Sequence, residues 1–255
     1  MTDKSMPIGV IDSGVGGISV LRELVSLMPN EKYIYFGDSA NAPYGTKTHE
    51  KILQIVEKNA DYLAKRSIKA LVVACNTATS VCIDELRRLY PNMPVIGIEP
   101  ALKPAVAGRT NPTVIVMATP LTLKEKKFAR LCASYSKTAN IIPLPCPGLM
   151  ELVEKGITEG AELEGYLKEH FAENGIQSAD CVVLGCTHYP FVKDTIQKLL
   201  PGAEIFDGGE GTAHQVKRLL ERKNLLSDGK CGSVEFKNSL GGDKIIDLCK
   251  KLLAK

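Results

Sequence analysis

Eight short apolar runs recur along the chain, at residues 7–11, 33–36, 70–74, 95–98, 114–117, 141–144, 181–184 and 204–206. Each is brief and most are rich in β-branched residues. Each gives way to a loop of small polar residues and then to a segment with helical spacing of its apolar positions. The runs are continuous rather than alternating, as strands buried on both faces require. Strands alternating with helices predict an α/β protein with parallel sheets covered on both sides. In such sheets ligands bind beyond the carboxyl ends of the strands, so the loops that follow the runs are where chemistry is expected.

The pattern also repeats. Leu71-Val-Val-Ala-Cys75-Asn76-Thr77 resembles Val182-Val-Leu-Gly-Cys186-Thr187-His188, 111 residues later. The strand ends at 8–12 and 113–117 match at an offset of 105, and those at 95–99 and 203–207 at 108. Three weak matches at nearly one offset predict two similar doubly wound α/β domains, each with a mainly parallel sheet, related by pseudo-twofold symmetry around a central cleft. Residues 1–98 plus 207–255 would form the first domain, carrying Cys75. Residues 99–206 would form the second, carrying Cys186.

Composition narrows the classes. With 44% hydrophobic and 24% charged residues over 255 positions, the chain has the make-up of a folded globular protein. Its net charge of +3 is scattered, which argues against a nucleic-acid partner or a membrane surface. No stretch approaches the roughly 18 consecutive apolar residues of a membrane span. Eight cysteines, at 75, 82, 132, 146, 181, 186, 231 and 249, are the unusual feature. They are too sparse for a disulfide scaffold, and no signal peptide precedes them. The nearest cysteine pair, Cys181 and Cys186, is five residues apart, and no His-x3–5-His occurs, so no metal site is expected. A reduced, soluble, cytoplasmic protein is expected, whose cysteines serve either packing or thiol chemistry.

Three loops carry candidate chemistry. Asp12-Ser13-Gly-Val-Gly-Gly17 follows the first strand; its glycines allow close approach of a ligand, and Asp12 would repel a phosphate and suit a cationic or proton-donating group. The same segment also reads as an ordinary strand-to-helix turn. Residues 37–47, rich in turn formers, include Tyr44 and Gly45, a hydroxyl and an unhindered N–H that could hold a carboxylate. Cys75 and Cys186 each end a strand, where a lone cysteine is ordinarily a packing residue. Their repeat-equivalent positions change that reading. Hydrogen-bonding residues follow each, Asn76-Thr77 and Thr187-His188, and then a helix, with Pro190 in the first turn of the second. A helix N-terminus and a nearby histidine both favour a thiolate. Packing is expected for the other six cysteines. Two thiols on similar halves suggest two-base stereoinversion, one removing a proton from carbon and the other donating to the opposite face. A single nucleophile, Cys186 with His188 as base, is the alternative that leaves Cys75 without a role.

With these residues in view the chain closely resembles the glutamate racemases of the cofactor-independent aspartate/glutamate racemase family, which make D-glutamate for bacterial peptidoglycan. The matching segments are residues 9–17 (GVIDSGVGG), 42–45 (APYG), 72–78 (VVACNTA), 94–100 (PVIGIEP), 145–149 (PCPGL) and 185–190 (GCTHYP). The resemblance implies that Cys75 and Cys186 are the acid/base thiols, tuned or assisted by Asp12 and His188. It implies substrate contacts at Asp12, Ser13, Tyr44, Gly45, Asn76, Thr77, Thr187 and His188, with glutamate as the small-molecule substrate and no cofactor. Asp38, Thr119 and Glu154 match less closely and lie outside the expected site, and the tail from Cys231 to Lys255 matches loosely. No long N-terminal extension precedes the first strand, so the activator dependence of extended family members is not expected. A homodimer is compatible with the sequence but is not read from it. The competing readings are a racemase of another small acid such as aspartate or a hydantoin, a non-catalytic two-lobed binding protein, and a Cys–His hydrolase acting through Cys186 alone.

Overall fold

In a computed structural model of the chain, which describes residues 3–254, all eight apolar runs are strands. They are β1 (Ile8–Asp12), β2 (Lys32–Gly37), β3 (Ala70–Val73), β4 (Val95–Gly97), β5 (Thr113–Ala118), β6 (Asn140–Pro145), β7 (Cys181–Leu184) and β8 (Glu204–Asp207). A ninth, β9 (Ser233–Asn238), lies in the tail whose pattern predicted nothing. Between them run α1 (Ile18–Leu27), α2 (His49–Ala64), α3 (Asn76–Leu89), α4 (Leu102–Val106), α5 (Pro120–Lys124), α6 (Lys126–Ala133), α7 (Leu149–Glu154), α8 (Ala161–Glu173), α9 (Lys193–Leu199), α10 (Gly209–Arg222) and α11 (Asp243–Leu253). Among the described residues no helix is long and apolar enough to cross a membrane.

The chain divides into two compact units, Met1–Glu99 with Gly209–Lys255, and Pro100–Gly208. The first holds a five-stranded sheet in the order β4-β3-β1-β2-β9, the second a four-stranded sheet in the order β6-β5-β7-β8. Every neighbouring pair is parallel. Reading β5 to β8 as the counterparts of β1 to β4 makes the two orders identical, except that β9 extends the first. In each sheet the winding direction reverses between the first and third strands, β1 and β3 or β5 and β7. Ligands collect at the carboxyl side of such reversals.

The register refines the repeat. Ile11 pairs with Val73 and Met117 with Leu184. Val73 and Leu184 each stand two residues before a cysteine, so Cys75 and Cys186 are equivalent, as the sequence match has it. The first strands, however, align at an offset of 106 rather than 105, making Asp12 the counterpart of Ala118 and Ser13 that of Thr119. The fourth strands align Gly97 with Asp207 across an offset of 110, not 108. A one-residue slip exchanges the two faces of a strand, so the corrected offset decides which side chains are comparable.

The central strands β1, β3 and β7 are buried along their whole length. Each aliphatic side chain so enclosed contributes about 1.5–3 kcal/mol relative to exposure. At the amino end of β3, Lys69 is fully buried, its Nζ 2.5 Å from Glu31 Oε2 and donating to the carbonyls of Lys4 and Leu225. Glu31 Oε1 accepts from the Ser227 N–H. This cluster ties the segment after α10 to the sheet end remote from the cysteine loops.

Candidate active site

In the first unit, Asp12 is the last residue of β1, and its Oδ2 accepts from the Gly14 N–H at 3.0 Å. Gly17 allows this turn to close, because a Cβ there would lie 2.6 Å from Asp12 Cβ and 3.0 Å from that of Ala74. The Tyr35 hydroxyl donates to the Gly14 carbonyl and secures the loop from β2. Across the reversal, Ala74 N–H bonds to the Ile11 carbonyl and Cys75 caps α3, its Sγ accepting from the Ala78 N–H at 3.4 Å. The Cys75 Sγ lies 3.6 Å from Ser13 Oγ. Asn76 and Thr77 open α3 and are buried. Neither Oδ1 nor Nδ2 of Asn76 has a hydrogen-bond partner. A buried amide left unpaired is costly, and beside a thiol it marks a place for a polar ligand.

Asp38 follows β2 and is also buried. Its carboxylate accepts from Asn41 Nδ2, from the Tyr44 hydroxyl at 2.7 Å and from Asn59 Nδ2 at 2.9 Å. Tyr44 sits in a tight turn, Tyr44–Thr46, that packs on α3. Burial, and after it the charges of Asp38, Cys75 and Asp12, push its phenol far above the usual tyrosine range. Its single proton is spent on Asp38, so the hydroxyl expected to reach a substrate carboxylate is engaged within the protein. What Tyr44 and half-buried Gly45 can still offer outward is backbone N–H.

In the second unit, Gly185 N–H bonds to the Met117 carbonyl as Ala74 does to Ile11, and Cys186 follows. Here the helix expected directly after the cysteine is delayed. Residues Tyr189–Val192, with Pro190, form a tight 3-10 turn, and α9 begins only at Lys193. Cys186 therefore lacks the helix N–H that Cys75 receives, and His188 takes its place. The turn brings His188 Nδ1 to 3.6 Å from Cys186 Sγ. His188 Nε2 lies 2.6 Å from Glu154 Oε1, at the end of α7. Burial opposes charge on His188, but its bonds to Cys186 and Glu154 and their negative charge outweigh burial and raise its pKa well above the histidine range. A doubly protonated imidazole donates from both nitrogens, which is what a thiolate on one side and a carboxylate on the other require. Thr187 is buried beside them.

Two further residues complete this half. Thr119, the register counterpart of Ser13, caps α5 and shares a hydrogen bond with Thr122. Cys146 N–H bonds to the Ala118 carbonyl as Asp38 N–H bonds to that of Asp12, so Cys146 stands where the first unit has a carboxylate. Its thiol is pushed up by burial and by the charge of Cys186. The Tyr189 hydroxyl donates to its carbonyl, joining the two loops. Burial accords with the packing expected of Cys146, but that expectation fails for Cys231, which is exposed. Cys82, Cys181 and Cys249 are buried, Cys132 is half-buried, and among the described residues no cysteine is joined in a disulfide.

Comparison with known proteins accords with this geometry. Residues 8–216 match the model of the Asp/Glu/Hydantoin racemase family. The chain belongs to that family. A glutamate racemase of Clostridium botulinum (strain Alaska E43 / Type E3) is 51% identical over 255 residues, covering 99% of each chain. Among solved structures, a glutamate racemase of Francisella tularensis in complex with D-glutamate superposes with a TM-score of 0.86 at 30% identity, over 99% of this chain and 95% of that one. One from Bacillus anthracis superposes with a TM-score of 0.89 at 28% identity and the same coverage. Against the family's expected site, the first unit gathers Asp12, Ser13, Tyr44, Gly45, Cys75, Asn76 and Thr77, and the second Cys186, Thr187 and His188. Asp38 and Glu154, left outside the expectation, are joined by direct hydrogen bonds to Tyr44 and His188. Glu154 stands 34 residues from His188, whereas Asp38 is six residues from Tyr44 in the same loop; only the resemblance pointed to either of them. Asn59 carried no signal at all.

Proposed function

We propose that this protein is a glutamate racemase that interconverts L- and D-glutamate through two cysteine acid/base groups, with no cofactor, and so supplies D-glutamate for peptidoglycan. The observation that carries the reading is the pair of thiols at register-equivalent places, each two residues beyond a central strand at the reversal of its own sheet. A packing role gives no reason for that equivalence; stereoinversion needs two matched groups.

Inversion requires one thiolate to take the α-proton and one thiol to deliver a proton to the opposite face of the same carbon. His188, held protonated between Cys186 and Glu154, balances a thiolate at Cys186. The Cys75 thiol, which donates to the Ser13 hydroxyl oxygen, suits the protonated partner, and the helix N–H at its sulfur stabilises the thiolate left once that proton is given. After turnover the two thiols have exchanged roles, and the opposite enantiomer meets the reversed arrangement. A single general base contributes about 10²- to 10⁴-fold, so the weakly acidic α-hydrogen needs more. The rest is assigned to hydrogen bonds to the developing carbanion from Asn76, Thr77 and Thr187, and to exclusion of water. Asp12 is the partner proposed for the substrate ammonium, and the loop N–H groups around Tyr44 and Gly45 for a carboxylate.

The test is optical. The purified protein, given L-glutamate and no added cofactor, is expected to drive the rotation to zero. Cys75→Ser and Cys186→Ser are each expected to abolish this, whereas Cys82→Ser, buried in α3 away from the loop, leaves it intact. Full activity in either of the first two would refute the two-thiol assignment. Loss of only the Cys186 variant would favour single-nucleophile chemistry.

A further inference from the structure

Asn59 is a residue that neither the motifs nor the proton transfers call for. It lies in the middle of α2, whose other inward positions, Ile52, Ile55, Val56, Ala60 and Leu63, are apolar. An amide on such a face is unfavourable unless its polar atoms are paired. Here Nδ2 donates twice, to Asp38 Oδ2 at 2.9 Å and to the Tyr44 hydroxyl oxygen at 3.2 Å. The arrangement admits one orientation. A carboxylate only accepts, so the amide nitrogen rather than its oxygen must face Asp38. The Tyr44 oxygen, already accepting from Asn59, has its one proton left for Asp38. Three residues from three different segments, the end of β2, the 44–46 turn and α2, are thereby locked to one another. The turn packs on α3, the helix that Cys75 caps, and the charged and titratable groups bearing on Tyr44 are Asp38, Cys75 and Asp12.

We propose that Asn59 is a positioning residue for the Cys75 half of the site: its amide fixes the Asp38 carboxylate and the Tyr44 ring, and through them the turn that presents backbone N–H groups beside Cys75. This rests on the reading of Cys75 as an acid/base thiol. Without Asn59, Asp38 loses a donor that offsets its charge, and Tyr44 loses the contact that aims its proton. Cys75 then faces a less compensated carboxylate and a looser turn, while Cys186, in the other unit, is untouched.

Asn59→Leu, nearly isosteric and without polar atoms, tests this with two readouts. In the folded variant kcat is expected to fall about ten- to a hundredfold, the cost of misplacing groups by a fraction of an ångström to an ångström. Alkylation by iodoacetamide, mapped to each cysteine by peptide mass spectrometry, is expected to slow roughly threefold or more at Cys75, because the rate follows its thiolate fraction, and to stay unchanged at Cys186. A purely structural role would lower the melting temperature and leave the ratio of the two alkylation rates as it was. A cycle with Tyr44→Phe supplies the second check: if Asn59 acts through Tyr44 and Asp38, the two losses are strongly non-additive. Wild-type kcat with an unchanged alkylation ratio, or full additivity with Tyr44→Phe, would overturn the proposal. Should Asn59→Leu fail to fold, Asn59→Ser takes its place in the same measurements, and the same outcomes support or overturn the proposal. The alkylation arm needs no turnover, so a wild type without racemisation would sink the racemase reading while Asn59 is still judged by its effect on Cys75.

Discussion

Cys75 and Cys186 hold equivalent places in their sheets but are served by different chemistry. A helix N–H and a serine hydroxyl attend the first, and a charged histidine backed by Glu154 attends the second. The sequence led us to expect a helix N-terminus at both thiols and a histidine at Cys186; the delayed start of α9 leaves Cys186 with the histidine alone. The pH dependence that follows can be tested at Glu154. Burial lowers the pKa of His188, while Cys186 and Glu154 raise it and prevail. In Glu154→Gln one raising charge is gone, so the imidazolium loses its proton at lower pH than in the wild type. The alkaline limb of the kcat/KM profile is therefore expected to move to lower pH by about a unit, a shift typical of removing one nearby opposite charge. An alkaline limb at the same pH in both proteins would show that Glu154 does not govern His188. The cysteines were legible from their repeated motif. The engagement of the Tyr44 hydroxyl and the place of Cys146 were not, because both depend on partners that no local pattern brings together.

At the scale of elements, the continuous apolar runs located eight strands, because parallel strands buried on both faces leave an unbroken apolar signal. The same continuity hid the register. With no alternation to fix the phase, β1 and β5 matched one residue out of step, and only the pairing with β3 and β7 corrected them. The edge strand β9 escaped for the opposite reason: Ser-Val-Glu-Phe-Lys-Asn alternates and is half-exposed, with charges that suit an edge. It nonetheless reaches the site, since Asn238 Nδ2 donates to Ser39 Oγ and Ser239 Oγ accepts from the Ala40 N–H, next to Asp38. The buried Lys69–Glu31 pair at the other end of the sheet was also invisible, since a lone lysine before an apolar run reads as a surface residue. Lys69→Met strands the Glu31 carboxylate in the interior and is expected to cost about 3–5 kcal/mol in urea unfolding, as breaking one side of a buried pair does. A loss below about 1 kcal/mol, the scale of an exposed pair, would mean that the cluster is solvated.

The whole molecule is built from one strand order used twice, and each unit contributes one thiol at the reversal of its sheet. The repeat made this organisation readable, because offsets that chance would scatter instead converged. The tail that returns to the first unit, with α10, β9 and α11, has no counterpart in the second and so left no mark in the comparison of halves. That each half supplies one proton-transfer group is the central claim, and isotope distribution tests it more directly than loss of activity. L-glutamate is incubated with the enzyme in D₂O, and both enantiomers are separated early in the reaction and analysed for α-deuterium by NMR. With two bases, the donating thiol has already exchanged with solvent while the abstracting one carries the substrate's own hydrogen. Deuterium is then expected in the D-glutamate formed and to be nearly absent from the remaining L-glutamate. Deuterium appearing equally in both enantiomers would mean a single base serving both faces, and would contradict the account.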